Sequence, residues 1–321
     1  MESNTSTNRL FDESFLRKLE SLTLISRHMR SGQLQGERRS TKRGQSIEFA
    51  DYRTYVPGDD FRLVDWNAYA RLEKFFLKLF VEEEDLTVHF LIDTSRSMDW
   101  PPESSGESIH KLTYTQKAVG ALGYIALASF DRVTISTFAD TIIHASPPRR
   151  GKHQAFSLFN FLTTLTTNGT TCLNQSLIQY VAQARNPGPI LIFSDLFDTG
   201  STTNTNSSSL RRGRGCGLWS KGLMALLARR FEITLVHILS PDEINPTLNG
   251  DLRLIDIETD SAVELTADVD AVLRYKKGLT TWQNEIRQWC IQRGIMYVSV
   301  STDKPFEELI FSFMQKRGIL R

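Results

Sequence analysis

The chain has 321 residues, 40% hydrophobic and 23% charged, which excludes collagen-like, mucin-like and wholly disordered classes and leaves one enlarged α/β domain or two domains. Its 38 Lys+Arg stand against 37 Asp+Glu, a formal net charge of +1. That balance argues against a global electrostatic footprint for nucleic acid or an anionic membrane, so only local charge can steer a partner.

In chain order, residues 1–8 lack the apolar core of a signal peptide. Over residues 11–29, Phe11, Phe15, Leu19, Leu22 and Ile25 recur at three- and four-residue steps, the stripe of an amphipathic helix. Residues 27–43 carry six Lys/Arg and one Glu among glycine and serine, and read as a basic solvated arm, with docking to an acidic partner or a phosphate backbone as the alternative. Residues 46–71 are dense in aromatics, Asp and Arg around a Pro57-Gly58 turn. Arg53, Arg62 and Arg71 against Asp51, Asp59, Asp60 and Asp65 suggest fork pairs that brace an irregular segment, with Trp66 as apolar anchor, or else a partner-facing surface. Residues 74–81 and 87–92 read as consecutive strands joined by the acidic run 82–85.

From there strand and helix alternate. Strands end near Ile92, Thr137, Phe193, Ile238 and Val300, and helices cover 110–130, 152–165, 173–185, 218–229, 268–292 and 305–316. The runs VHFLID, PILIFSD and ITLVHIL are nearly continuous and apolar, as strands buried on both faces require. The fold class is therefore α/β, a doubly wound, mostly parallel sheet with an N-terminal extension. The longest uncharged apolar stretch, residues 118–130, is well short of the roughly 20 residues of a bilayer span. Residues 198–217 are Ser/Thr/Asn-rich and then Arg/Gly-rich, and predict a mobile loop. Gly213-Arg214-Gly215-Cys216-Gly217 within it lacks the third glycine and the preceding strand of a nucleotide loop. Residues 252–257 and 262–265 flank Asp260-Ser261 and predict an antiparallel hairpin of the kind that edges a parallel sheet. Two domains follow, residues 1–85 and 86–321. Cys172, Cys216 and Cys290 offer neither a disulfide framework nor a CxxC zinc site, and with the missing signal peptide and membrane span they predict a cytoplasmic protein.

One constellation carries chemistry. Asp93, Ser95 and Ser97 sit where the first buried strand ends, the edge at which open α/β sheets bind ligands, and their oxygens can face one hard cation. Alone, D-x-S-x-S is a weak signal, with capping of a following helix by Asp93 and Ser95 as its bland counterpart. Gly169-Thr170-Thr171 precedes a helix and Ser194-Asp195 ends another buried strand, on the same sheet edge. Asp93-Thr94-Ser95-Arg96-Ser97-Met98, Thr171 and Asp195 resemble the metal-ion-dependent adhesion site of von Willebrand factor A-type domains. The resemblance implies Mg²⁺ (or Mn²⁺) bound through Ser95, Ser97 and Thr171, with Asp93 and Asp195 acting directly or through water and a sixth position left for a partner's carboxylate. Many such domains have Asp-Gly where this chain has Asp195-Leu196, and Gly-Gly-Thr where it has Gly169-Thr170-Thr171; alignment favours Thr171, with Thr170 as the alternative. A helix entering after Ser97 would add N–H groups that favour an anion.

Upstream, Phe49, Tyr52-Arg53, Tyr55, Pro57-Gly58-Asp59-Asp60, Arg62, Asp65-Trp66 and Ala70-Arg71 resemble the signature of a bacterial domain-of-unknown-function family, numbered fifty-eight. The combined resemblance runs from residue 36 to the C-terminus and is firmest over 44–98. It implies a von Willebrand factor A-type fold and an association with MoxR-type AAA+ ATPases in chaperone-like assembly of client proteins. The expectation is a non-enzymatic, Mg²⁺-dependent adaptor whose partners are such an ATPase and a client supplying Asp or Glu. The alternative is a metal-dependent phosphohydrolase with Asp93 as nucleophile, but Ser95 stands where such enzymes need a second carboxylate. No G-x-S-x-G, H-E-x-x-H or Walker loop occurs, and the six histidines form no ligand-spaced pair. No nucleic-acid partner is expected, because the basic strips 27–43 and Arg211-Arg212-Gly213-Arg214 lack interleaved aromatics.

Overall fold

A computed structural model describes residues 15, 17–19, 48–56, 59–81, 87–101, 109–197 and 220–315. The basic arm 27–43, the Pro57-Gly58 turn, the acidic run 82–85 and the predicted mobile loop 198–217 lie outside the described residues. The chain divides into two compact units, residues 1–28 with 86–321, and residues 29–85. Sequence patterning alone places the N-terminal helix with the smaller unit. In the structure Phe15 and Leu19 are buried in the core of the larger one, because an amphipathic stripe needs an apolar surface to cover it.

In the smaller unit β1 (Glu48–Thr54) pairs antiparallel with β2 (Phe76–Val81), and α1 (Trp66–Leu72) lies between them in sequence. The segment expected to be irregular therefore contains a strand, which its aromatic and charged mixture does not announce. Its aspartates work mainly as caps. Asp65 starts α1, accepting from the N–H groups of Asn67 and Ala68 and from the Tyr52 hydroxyl at 2.8 Å, while Asp60 accepts from Arg62 N–H. Of the expected fork pairs, Arg53 meets Asp59 at 2.7 Å. Trp66 is no buried anchor: it is 58% exposed, edge-on to Phe75, which stacks on Tyr69.

The larger unit follows the predicted alternation. Its first half runs β3 (Thr87–Asp93), α2 (Lys111–Ala128), β4 (Arg132–Phe138), β5 (Ile142–Ala145), β6 (Arg149–Arg150), α3 (Ala155–Thr163), α4 (Leu173–Gln183) and β7 (Pro189–Ser194). Its second runs α5 (Ser220–Ala228), β8 (Glu232–Leu239), α6 (Pro241–Ile244), β9 (Gly250–Ile255), β10 (Ala262–Ala267), α7 (Val269–Ile291), β11 (Met296–Ser301) and α8 (Phe306–Gln315). One sheet has the order β11-β8-β7-β3-β4-β5, with β6 also on β4; β3, β4, β7, β8 and β11 are parallel, and β5 and β6 run antiparallel to β4. The predicted hairpin forms, but β9 and β10 make a sheet of their own instead of an edge of the main one.

Side-chain alternation on the buried strands builds two cores. Val88, Phe90 and Ile92 of β3 face one layer with α2, α3 and α8, while Leu91 faces the other with α4, α5 and α7. Helix α2 is apolar nearly all round and is covered nearly all round, which accounts for the apolar stretch 118–130. Among the described residues no helix is long and apolar enough to cross a membrane. On the second face two imidazoles are buried against phenols: His89 Nδ1 lies 2.6 Å from Tyr180 Oη, and His237 Nδ1 lies 2.7 Å from Tyr297 Oη.

The topology also sets where the strand order reverses. From β3 the chain crosses to β4 on one side, and it later returns to β7 on the other side of β3. Strand order therefore reverses between β3 and β7, and the crevice at their carboxyl ends is the switch point where such sheets bind ligands. Gly188 lets the two strands start side by side, since a Cβ there would lie 2.3 Å from the Thr87 carbonyl oxygen.

Candidate metal centre

Asp93 ends β3 and is fully buried, as are Ser95 and Asp195, with Thr171 and Ser97 nearly so. The register of β3 on β7 sets Ile92 beside Phe193, so the next residues, Asp93 and Ser194, meet: Ser194 Oγ donates to Asp93 Oδ2 at 2.6 Å. Ser95 N–H donates to Asp93 Oδ1 at 3.0 Å, and Ser95 Oγ and Ser97 Oγ lie 3.0 Å apart. Two backbone bonds stitch the threonine loop to this turn, Asn168 N–H to Thr94 O at 2.7 Å and Arg96 N–H to Gly169 O at 3.0 Å. Gly169 adopts φ +78°, a conformation that favours glycine. Of the two threonines, Thr171 is 1% exposed and turned inward, whereas Thr170 is half-buried.

Among the described residues β3 is followed by a 3-10 turn, Arg96–Met98, and then by α2 from Lys111. The expected helix dipole behind Ser97 is thus replaced by one short turn. Ser95 occupies its N-cap without making a side-chain capping bond, so its hydroxyl is not committed to the helix end.

The hydrogen bonds divide the five sequence-derived residues. Asp93, Ser95 and Ser97 form one connected group with Ser194. Thr171 is held by Glu258: its Oγ1 donates to Oε1 at 2.7 Å and its N–H to Oε2 at 3.1 Å. Asp195 is held by Lys111, whose buried ammonium donates to Asp195 Oδ2 and to Glu243 Oε1, each at 2.7 Å. Glu243 is fixed in turn by a capping box with Ser240 at the start of α6. After Asp195, Leu196 takes φ +60° with its side chain buried, so the backbone keeps a glycine-like shape at a cost of about 1 kcal/mol or more.

Ser194, Lys111, Glu243 and Glu258 were not legible as site residues. Ser194 and Lys111 carried faint signals, a hydroxyl beside Asp195 and a cation opening an apolar helix; Glu243 and Glu258 arrive from distant turns.

The electrostatics suit a cation. Burial, and then the charge of Asp195, push the Asp93 carboxyl up to about 7, so without a counter-ion the fold resists its ionised form. Burial would lower the Lys111 ammonium, but Asp195 and Glu243 overcome it and hold the pKa above its ordinary value. The donors are oxygens throughout, which select a hard ion. The 3.0 Å between the two serine hydroxyls also matches the edge between neighbouring ligands of an octahedron with metal–oxygen distances of about 2.1 Å. Among the described residues no three His, Cys, Asp or Glu side chains form a metal cluster. Asp93, Ser95 and Ser97 therefore fit Mg²⁺.

A mostly parallel sheet covered by helices on both faces, with Asp-x-Ser-x-Ser at the end of β3, defines a doubly wound α/β protein. The chain belongs to the family of proteins of unknown function DUF58, which matches residues 51–283. It is 22% identical over 317 residues to an uncharacterized protein of Mycobacterium bovis, covering 96% of this chain and 92% of that one. Similar solved structures include the conserved hypothetical protein BatB from Bacteroides thetaiotaomicron, at 13% identity and TM-score 0.40 over 72% of this chain and all 100% of that one. The von Willebrand factor domain of the pilus tip protein Mfa5 from Porphyromonas gingivalis is 12% identical, with TM-score 0.34 over 72% of this chain and 96% of that domain.

Proposed function

We propose that the chain is a non-enzymatic, Mg²⁺-dependent protein-binding adaptor of the cytoplasm that works with a MoxR-type AAA+ ATPase on a client protein. The observation that carries this reading is the buried cluster of Asp93, Ser95 and Ser97 at the switch point, with its two hydroxyls 3.0 Å apart. Asp93, Ser95, Ser97 and Thr171 would hold the ion, with Asp195 behind them. Bound there, Mg²⁺ supplies positive charge and an open coordination position that a partner's carboxylate can take. Ser194 and the Ser95 N–H orient Asp93, and the buried Lys111 ammonium holds Asp195 in place. The ATPase partnership rests on what the resemblance of the 44–71 block implies. Both oxygens of Asp93 already accept hydrogen bonds and Asp93 is fully buried, which supports a binding role for it over a nucleophilic one.

Calorimetric titration of Mg²⁺ into chelator-stripped protein tests the reading. One saturable site is expected, absent in Asp93→Ala, which should still fold by circular dichroism. No heat of binding in the native chain would sink it. Repeating the titration with a purified MoxR-type ATPase as titrant, with and without Mg²⁺, separates an adaptor from a bare metal binder.

A further inference from the structure

The turn joining β9 to β10 lays a carboxylate on the candidate site. Glu258 is 8% exposed and grips Thr171 with both oxygens. The turn is shaped to present it: Asp256 Oδ1 accepts the N–H groups of Glu258 and Thr259, each at 2.9 Å, and Asp256 N–H donates to Ser261 O at 2.8 Å. Two residues on, Asp260 receives a fork from Arg96 at 3.1 and 3.3 Å, and Arg96 stands between Ser95 and Ser97. The tip of the hairpin thus holds two separate loops of the site.

Behind the tip the strands have little apolar cover. Leu254, Ile255 and Val263 are 41%, 63% and 60% exposed, and β9 and β10 pair only with each other among the described strands. A two-stranded hairpin is marginal in water without a third strand or a helix over it. The tip contacts therefore set where the hairpin rests, and the Arg96–Asp260 pair is an exposed one of the weak kind.

On the strength of the metal-dependent reading above, we propose that Glu258 is an internal ligand that fills the position of a partner's carboxylate. A partner then engages by presenting Asp or Glu and displacing the β9–β10 hairpin. The chain's own choice of anion defines the partner group: a single carboxylate on an accessible loop or terminus, entering beside Thr171. The hairpin makes binding conditional, since the apparent affinity for any outside carboxylate is lowered by the fraction of molecules in which Glu258 is seated.

The test is titration of N-acetylglutamic acid α-amide into the Mg²⁺-saturated chain, compared with Glu258→Gln and Asp260→Ala. Asp260→Ala leaves every oxygen of the site in place and frees only the tip. Glu258→Gln should bind the probe up to about tenfold more tightly, as for a hairpin seated nine-tenths of the time, and Asp260→Ala about two- to fourfold, as the loss of one exposed pair allows; both should lose the gain when Mg²⁺ is chelated. In the native chain the probe with Mg²⁺ should speed amide exchange over residues 250–267. Normal Mg²⁺ binding with equal probe affinity in all three proteins overturns the displaceable hairpin and leaves the metal site standing. Loss of Mg²⁺ binding in Glu258→Gln alone makes Glu258 a fixed ligand, which also overturns displacement. Absence of Mg²⁺ binding from all three overturns the metal reading and this proposal with it.

Discussion

Lys111→Met should destabilise the native state by about 3–5 kcal/mol, measured by urea unfolding in chelator at neutral pH. Lys111 and Asp195 are both fully buried, and Glu243 is 19% exposed by its side chain. Methionine matches the apolar stem, so packing against α2's neighbours survives. What is lost is the ammonium between two carboxylates, and the desolvated Asp195 is left without its cation. Its other oxygen keeps only the Phe197 N–H, at 3.2 Å. Asp195→Asn added to Lys111→Met should recover much of the loss, because a neutral amide no longer needs a counter-charge. A single-variant loss under about 1 kcal/mol, as for an exposed pair, would contradict the buried network.

Acid should weaken the fold through His89 and His237. Burial lowers both imidazoles from 6.5 to about 4. An unfolded imidazole takes up its proton as pH falls through about 6.5, whereas the folded one stays neutral until about 4. The stability they contribute is whole above about 6.5 and is lost as pH falls to 4, about 3 kcal/mol for each. Asp93 works in the opposite sense in the metal-free chain. Its raised pKa contributes stability that is present below about 4 and lost as pH rises through 7. Comparison with His89→Gln isolates one imidazole, since Asp93 contributes equally to both proteins. Between about pH 7.5 and pH 4 the native chain should lose about 3 kcal/mol more than the variant. Parallel pH profiles would show that His89 is not held neutral by the fold.

The strands and helices of the larger unit were legible because their signals are local. Continuous apolar runs ending in Asp93 and Asp195 mark strands buried on both faces. The switch point then follows from topology. Strand β1 was not legible, because its aromatic and charged mixture has no clean alternation and its partner β2 is more than twenty residues away. The exposure of Trp66 was hidden for the same reason: a large aromatic reads as core until its surroundings are known. At the site, Asp93, Ser95 and Ser97 lie within five residues and announce themselves. Thr171 is held by residue 258 and Asp195 by residue 111, itself held by residue 243; these are joined only by tertiary folding, and no window of sequence contains both members of those pairs.

Anomalous diffraction from crystals of the chain grown with Mn²⁺ addresses the metal centre most directly. One strong peak is expected at the carboxyl end of β3, about 2.1 Å from Ser95 Oγ and Ser97 Oγ, with Asp93 and Thr171 around it and Lys111 still on Asp195. A crevice between β3 and β7 without a peak at saturating Mn²⁺ would contradict it.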